Sequence, residues 1–359
     1  MMPILSICIP ACNCADRLAP RVRAWLALDC RDFEIVVSDN ASPDGTANRL
    51  RALGDGRLVV LENETNLGGW ENGMRALLGA RGKYALALTD KDDIAACDIP
   101  TAVAILKRID VPVGRFRLWG NDKSADGVRF LAWPGLRFTH PSGFFYRTDL
   151  FRESGLVDKI RPLDECVRAF NTDFQVLFLC RYGAFADVPF KLVEYKSLSL
   201  AGKQRSLTYA ENEDLWLAPK FRQRVAGVYL KQLSAAGCPL ERRNAIVRNL
   251  VSLLGYLSTY GFLGYLRNEK LRAWYGISDE YYQRQNIGQL KKSAVVGLLR
   301  LKGIGFVNRI LLYHWLAWGL VLKDLFKYEE DEVQFDPPGL CRRILRRIRE
   351  ILRIASGPR

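Results

Sequence analysis

The chain has 359 residues, of which 49% are hydrophobic and 26% charged, an ordinary globular composition that excludes a largely disordered chain. No fixed period recurs, which excludes solenoid and collagen-like architectures. Lys and Arg number 53 against 39 acids, a formal net charge of +14, and so large an excess points to an anionic partner: nucleic acid, a phosphorylated substrate or a membrane surface.

In chain order, residues 4–10 (ILSICIP), 33–38 (FEIVVS), 57–61 (RLVVL) and 84–88 (YALAL) are apolar runs of strand length, as expected of strands covered on both faces. Between them, residues 16–28 set Leu18, Val22, Trp25, Leu26 and Leu28 at helical spacings, and residues 68–80 form a second helical stretch stopped by Gly79 and Gly82. The order β-α-β-α-β-α-β predicts an α/β fold, a mostly parallel sheet with helices on both faces, of the nucleotide-binding kind. Residues from about 100 to 200 mix strand-like aromatic pieces (RFRLWG, SGFFYR) with one helix-like run, DFQVLFLCRYG. Residues 215–275 read as helical, and residues 294–322 are rich in Leu, Trp and Gly. The expected division is 1–205 for a catalytic α/β domain, 206–328 for a helical region, 329–339 for an acidic, Pro-containing linker and 340–359 for a basic amphipathic helix.

Nine cysteines are scattered without a CxxC pair, and only His140 and His314 are present. That pattern suits neither a zinc site nor a disulfide framework, so reduced thiols are expected. The start, MMPILSICIPACN, lacks the charged and apolar regions of a secretory signal, and no run of 18 uncharged apolar residues predicts a membrane span.

Ligands of open parallel sheets bind beyond the carboxyl ends of the strands. The predicted strands end there in Pro10-Ala11-Cys12-Asn13, in Ser38-Asp39-Asn40-Ala41-Ser42-Pro43-Asp44 and in Thr89-Asp90-Lys91-Asp92-Asp93. Packed carboxylates repel one another. A divalent cation, Mg²⁺ or Mn²⁺, would remove that conflict by sharing one or two carboxylates with phosphate oxygens. The alternative is a solvated acidic loop that caps the next helix.

The blocks ILSICIPACN, FEIVVSDNASPDGT, NETNLGGWENG and TDKDD resemble, in that order, the family 2 glycosyltransferases of the GT-A fold. The likeness is close over about residues 3–95 and loose over about 96–200. The DNAS form of the second block is similar to bacterial enzymes that build surface polysaccharides and O-antigens. The resemblance implies a nucleotide-sugar donor, a divalent metal and inversion at the anomeric carbon. Carried over residue by residue, it implies that Pro10, Ala11, Asn13, Asp39 and Asn40 hold the nucleobase and ribose. The Asn40 carbonyl would accept a base N–H where many relatives carry an acid. Asp90 would lie near the ribose or sugar, Asp92 would be the direct metal ligand and Asp93 would stand beside it. Lys91 reads as a solvated side chain near the diphosphate. Asn72 reads as a structural hydrogen-bonding residue. Ser142 and Gly143 would let backbone approach the donor sugar, and His140 either contacts acceptor or phosphate or is structural. The general base implied is Asp173, which is equally a helix cap; Asp164 and Glu165 are the alternatives.

In residues 340–354, Leu340, Ile344, Leu345, Ile348, Ile351 and Leu352 share a helical face, and residues 338–359 carry seven arginines against one glutamate. Such a helix suits an anionic membrane surface, and Tyr313, Trp315 and Trp318 add rings that favour the headgroup layer. The expectation is a peripheral protein on the cytoplasmic face of the cell membrane, acting on a polyprenyl-diphosphate-linked glycan acceptor. A helical bundle on the catalytic domain and an oligomer interface are the other readings of this region. A nucleic-acid-binding protein fits the charge, but the basic excess sits in an amphipathic tail and no nucleic-acid motif is present, so no nucleic-acid partner is expected. A nucleotidyltransferase would show a glycine-rich phosphate loop after the first strand, which PACNCAD lacks.

Overall fold

The computed structural model describes residues 2–117, 127–136, 140–194, 208–209, 214–215 and 219–256, with short pieces and single positions between 267 and 310. The first half alternates as expected: β1 (Leu5–Ala11), α1 (Ala15–Leu26), β2 (Phe33–Asp39), α2 (Thr46–Arg51), β3 (Leu58–Glu62), α3 (Gly68–Leu78) and β4 (Tyr84–Ala87). Each predicted strand falls within about one residue of its observed bounds, because an unbroken apolar run can only be satisfied between two covering layers. There follow β5 (Asp93–Ile94), α4 (Ile99–Arg108), β6 (Val113–Arg117), β7 (Arg129–Leu131) and β8 (Phe144–Arg147). Next come α5 (Thr148–Glu153), α6 (Leu156–Ile160), α7 (Glu165–Arg168), α8 (Asn171–Leu179), β9 (Phe185–Lys191) and β10 (Val193–Glu194). A small pair, β11 (Thr208–Tyr209) and β12 (Asp214–Leu215), precedes α9 (Pro219–Ala235) and α10 (Leu240–Tyr256).

Among the described residues the main sheet has eight strands in the order β3-β2-β1-β4-β8-β6-β9-β7. β1 pairs in parallel with β2 and β4, β2 with β3, and β6 with β9. β8 is inserted antiparallel between β4 and β6, and β7 closes the edge antiparallel to β9. The inversion brings the start of β8 to the edge where β1, β2 and β4 end. The segment Ser142-Gly143 therefore joins the site, and the amide of Gly143 donates to the carbonyl of Ala87 at 3.0 Å.

Alternation along the strands builds two cores. Leu5, Ile7 and Ile9 of β1 meet Leu18, Val22 and Trp25 of α1 and Val103 and Leu106 of α4 on one face. Cys8, Val36, Phe144 and Tyr146 meet Met74 and Leu77 of α3 and Phe174 and Leu177 of α8 on the other. α9 and α10 join this second core through Phe221, Val225, Tyr229 and Leu250, with Tyr229 edge-on to Phe174 at 5.5 Å. The helices that begin the region expected at 206–328 thus share an apolar core with the sheet. The linker at 329–339 and the tail at 340–359 lie outside the described residues, as does most of 294–322. Among the described residues no helix is long and apolar enough to cross a membrane, and seven cysteines are free thiols.

One buried carboxylate ties the sheet together. Glu34, 1% exposed, accepts from Ser6 Oγ at 2.7 Å, from the amide of Arg81 at 2.6 Å and from Arg81 Nε at 2.7 Å. Ser6 Oγ in turn accepts the amide of Gly82 at 2.8 Å. A Cβ at Gly82 would lie 2.8 Å from that oxygen, so only glycine permits this approach of the α3–β4 loop to β1. Removing one partner of a buried, hydrogen-bonded charge leaves the others unsatisfied. Glu34→Ala is therefore expected to lower stability by about 3 kcal/mol, read as a fall in denaturant midpoint without a change in slope.

Candidate active site

The exits of β1 and β2 are braced against each other by short polar side chains. The amide of Asn40 donates to Ala11 O at 2.9 Å, and the amide of Asn13 to Ser42 Oγ at 2.9 Å. Asp39 accepts the Ser42 hydroxyl at 2.5 Å and the Ser42 amide at 3.3 Å, which folds the turn onto the end of β2. Asp44 accepts the amide of Ala15 at 3.0 Å and both the amide and hydroxyl of Thr46. It therefore holds the amino ends of α1 and α2 together. Burial raises the Asp44 carboxyl, and these hydrogen bonds outweigh it and hold the group below its ordinary range. Asn13 and Ala41 both take positive φ, 50° and 55°. An alanine held there is strained, and such strain gathers at functional turns.

The third block docks through amides. Asn40 Oδ1 accepts the amide of Leu67 at 2.8 Å and Asn63 Nδ2 at 3.2 Å, and Asn40 Nδ2 donates to Asn66 at 2.8 Å. Asn72 accepts from Asn63 at 2.9 Å and donates to Ala11 O at 3.3 Å. Asn40, expected at the nucleobase, fastens residues 63–67 through its carbonyl.

The acidic turn follows β4, and it is the arginines of α1 that offset its charge. Arg17 Nη2 lies 2.8 Å from Asp90 Oδ2, and Arg17 Nε donates to Asp90 O at 3.2 Å. Arg21 donates to Asp90 O at 2.7 Å and to Asp92 O, and its Nε stands 3.9 Å from Asp93. Trp25 Nε1 donates to Ile94 O at 2.9 Å. Arg17, Arg21 and Trp25 follow at i, i+4 and i+8, so one stripe of α1 grips the whole turn. The expected mutual repulsion of these acids is therefore met largely by guanidiniums and hydroxyls from the chain. That spacing is legible in the sequence, yet sequence reasoning passed over both arginines.

Asp92 points the other way. It is fully buried, and its Oδ2 accepts Ser142 Oγ at 2.6 Å and Thr89 Oγ1 at 2.8 Å. His140 Nδ1 comes within 3.6 Å of the same oxygen and accepts the Ser142 amide at 3.3 Å. His140, expected on the acceptor side, thus stands against the acidic turn. Gly143 has φ 90°, a conformation that requires glycine at the start of β8. Lys91 is half-buried between the two acids.

Asp39, Asp44 and Asp90 all lie near Cys12. Burial raises the Cys12 thiol, and the charges of Asp90, Asp39 and Asp44 raise it further, which marks an electronegative mouth. A diphosphate entering such a mouth needs an accompanying cation. Among the described residues no group of three or more His, Cys, Asp or Glu converges as a ready-made metal cage. Carboxylates with an imidazole nearby fit a hard cation whose remaining positions are filled by substrate phosphate and water.

Asp173 lies elsewhere. It sits in the first turn of α8, 4% exposed, in a cavity lined also by Arg115, Leu131, Pro134, Phe144, Val176 and Phe185. Its charge also reaches Tyr146, whose phenol burial pushes well up and Asp173 pushes further. Phe170, the residue before α8, makes no side-chain cap. The cavity meets the acidic turn through one strand, since Phe144 follows Ser142 by two residues. Of the alternatives, Asp164 pairs with Arg224 of α9, and Glu165 opens α7.

Comparison with known proteins agrees with this geometry. Residues 6–155 match the family described as Glycosyl transferase family 2. The UDP-Glc:alpha-D-GlcNAc-diphosphoundecaprenol beta-1,3-glucosyltransferase WfaP of Escherichia coli is 32% identical over 92 residues, covering 26% of this chain. The matched segment spans 36% of that relative's length. The S. aureus TarS 1-349 structure superposes with a TM-score of 0.59 at 14% identity, covering 92% of this chain and 94% of that one. Its complex with UDP-GlcNAc gives 0.58 at 14%, covering 92% and 95%. At such identity the likeness is one of fold. Residues 6–155 thus match the model of the family 2 glycosyl transferases, and the sheet with its covering helices has the GT-A fold.

Proposed function

We propose that the protein is a metal-assisted, inverting glycosyltransferase that moves a sugar from a nucleotide-sugar to a hydroxyl of a lipid-linked glycan. The observation that carries this reading is the Thr89–Asp93 turn at the carboxyl edge of β4. It is clamped by Arg17 and Arg21 and faces Ser142, beside the β1 and β2 exits, inside the segment that matches the family. A uridine diphosphate sugar is the donor favoured by the names of the relatives.

In this mechanism the Pro10–Asn13 turn and Asp39 bind the nucleoside, and Asp90, fixed by Arg17, borders the ribose and sugar. Asp92, with Asp93 beside it, would hold Mg²⁺ or Mn²⁺, which supplies charge to the diphosphate leaving group. Asp173 takes the proton of the acceptor hydroxyl as its oxygen bonds to the anomeric carbon. The bond from that carbon to the diphosphate breaks in the same displacement, and the electron pair leaves with the diphosphate. Attack opposite the leaving group inverts the centre. The arginine-rich segment 340–354 would hold the enzyme on the anionic membrane surface, where a polyprenyl-diphosphate-linked acceptor resides.

A panel of nucleotide-sugars, each with and without Mn²⁺, tests the donor assignment by thermal shift. A ligand present at 100 times its Kd adds about 2.7 kcal/mol of stability. One donor of the panel is expected to stabilise the protein, more so with Mn²⁺; no stabilisation by any would overturn the reading.

A further inference from the structure

At the edge of the sheet away from the nucleotide half, three guanidiniums surround one buried carboxylate. Asp187 of β9 has a side chain 1% exposed, and Arg115 Nε of β6 lies 2.9 Å from its Oδ1. Arg129 Nη2 of β7 lies 2.5 Å from its Oδ2. Arg117 Nη2 of β6 stands off at 3.9 Å, beyond hydrogen-bond reach. The register of β6 against β9 shifts between Phe116 and Arg117, which sets Arg117 opposite Lys191; bulges of this kind re-aim side chains beside functional sites. Burial raises the Asp187 carboxyl, and Arg115 and Arg129 outweigh it and hold the group low and ionised. One negative charge thus faces three positive ones, with Lys191 adjacent. A single arginine would satisfy Asp187, and the surplus like charges repel unless an anion joins them.

The arginine side chains are 25%, 34% and 61% exposed in the order Arg115, Arg117, Arg129, so the cluster is anchored at its base and open at its rim. Guanidiniums present fixed forks of donors that match phosphate oxygens. The cluster stands on the far side of β8 from the exits of the nucleotide half, since β6, β9 and β7 follow β8 in the order of the sheet. Arg115 lines the same cavity as Asp173, and the amide of Phe116 donates to Gly143 O at 2.9 Å. Arg115 thus stands beside the acid to which the proposed mechanism gives the proton of the acceptor hydroxyl.

We propose that Arg115, Arg117 and Arg129, assembled on Asp187, form a phosphate site that receives the diphosphate of a lipid-linked acceptor. The proposal rests on the glycosyltransferase reading above and adds to it the group by which the acceptor is selected.

The test compares wild type with Arg117→Gln and Arg129→Gln, both outside the core, using decyl N-acetylglucosaminyl diphosphate and the phosphate-free decyl N-acetylglucosaminide as probes. Binding is measured calorimetrically with no donor present. Wild type is expected to prefer the diphosphate, and each variant to lose about tenfold of that preference, the scale of one charged hydrogen bond. Stabilisation by the donor with Mn²⁺ should be unchanged in both variants. Equal diphosphate affinity in wild type and variants would overturn the site. A parallel arm with phosphatidylglycerol and phosphatidylcholine vesicles separates the sources of phosphate. Variants that lose vesicle binding but keep the diphosphate preference would assign the cluster to membrane headgroups and overturn the acceptor role. A wild type that binds the diphosphate but no nucleotide-sugar would refute the donor assignment while leaving the phosphate site standing.

Discussion

Asp92→Asn is expected to lower kcat on the order of 10³-fold with the fold intact. The amide keeps the size of the side chain and an oxygen able to accept from Ser142 and Thr89, whose hydroxyls lie 2.6 and 2.8 Å away in the native site. What it removes is the negative charge. If that charge holds a cation against the diphosphate, activity falls and the Mn²⁺ concentration for half-maximal rate rises together. Circular dichroism and the melting temperature should stay near wild type. A variant with full activity would remove Asp92 from the chemistry and reduce it to a brace between the acidic turn and β8. Asp90 makes a useful contrast, because its carboxylate is paired with Arg17 on the opposite side of the turn. The two acids, two residues apart, thus serve different neighbours.

Asp173→Asn is expected to cut kcat by about 10² to 10⁴-fold, the range for loss of a positioned general base. Donor stabilisation with Mn²⁺ should be unchanged, since Asp173 lies in the Arg115 cavity and not among the β1, β2 and β4 exits. A structural acid at this place would give a different result. Loss of a first-turn carboxylate costs about 0.3–1 kcal/mol of helix stability and little turnover. A small drop in melting temperature with kcat preserved would therefore return Asp173 to a purely structural role. Asp164 would then be tested next, although its pairing with Arg224 already commits its charge.

Much of the fold was legible because its strands are short, apolar and bounded by turn residues. β1 to β4 satisfy the same rule four times, and the helices between them carry apolar residues at helical spacing. β8 was harder. SGFFYR reads as a strand from composition, but its antiparallel insertion between β4 and β6 depends on pairing partners far along the chain, Tyr84–Leu86 of β4 and Val113–Arg115 of β6. The candidate site was legible as a set of residue types at strand ends. Its internal wiring was not. The resemblance of the second block implies a nucleobase role for Asn40. The contacts of its carbonyl with Leu67 and Asn63 exist only once α3 has docked.

The amino-acid sequence by itself determined the layered architecture and the edge on which polar groups gather, because hydrophobic periodicity and turn chemistry are local properties. Tertiary structure alone decided which charges meet. Arg17 and Arg21 lie about seventy positions from the acids they hold, and Arg115, Arg129 and Asp187 come from three different strands. Ion pairs act through distance in space and through the dielectric around them, and neither quantity is written in the order of residues along a chain.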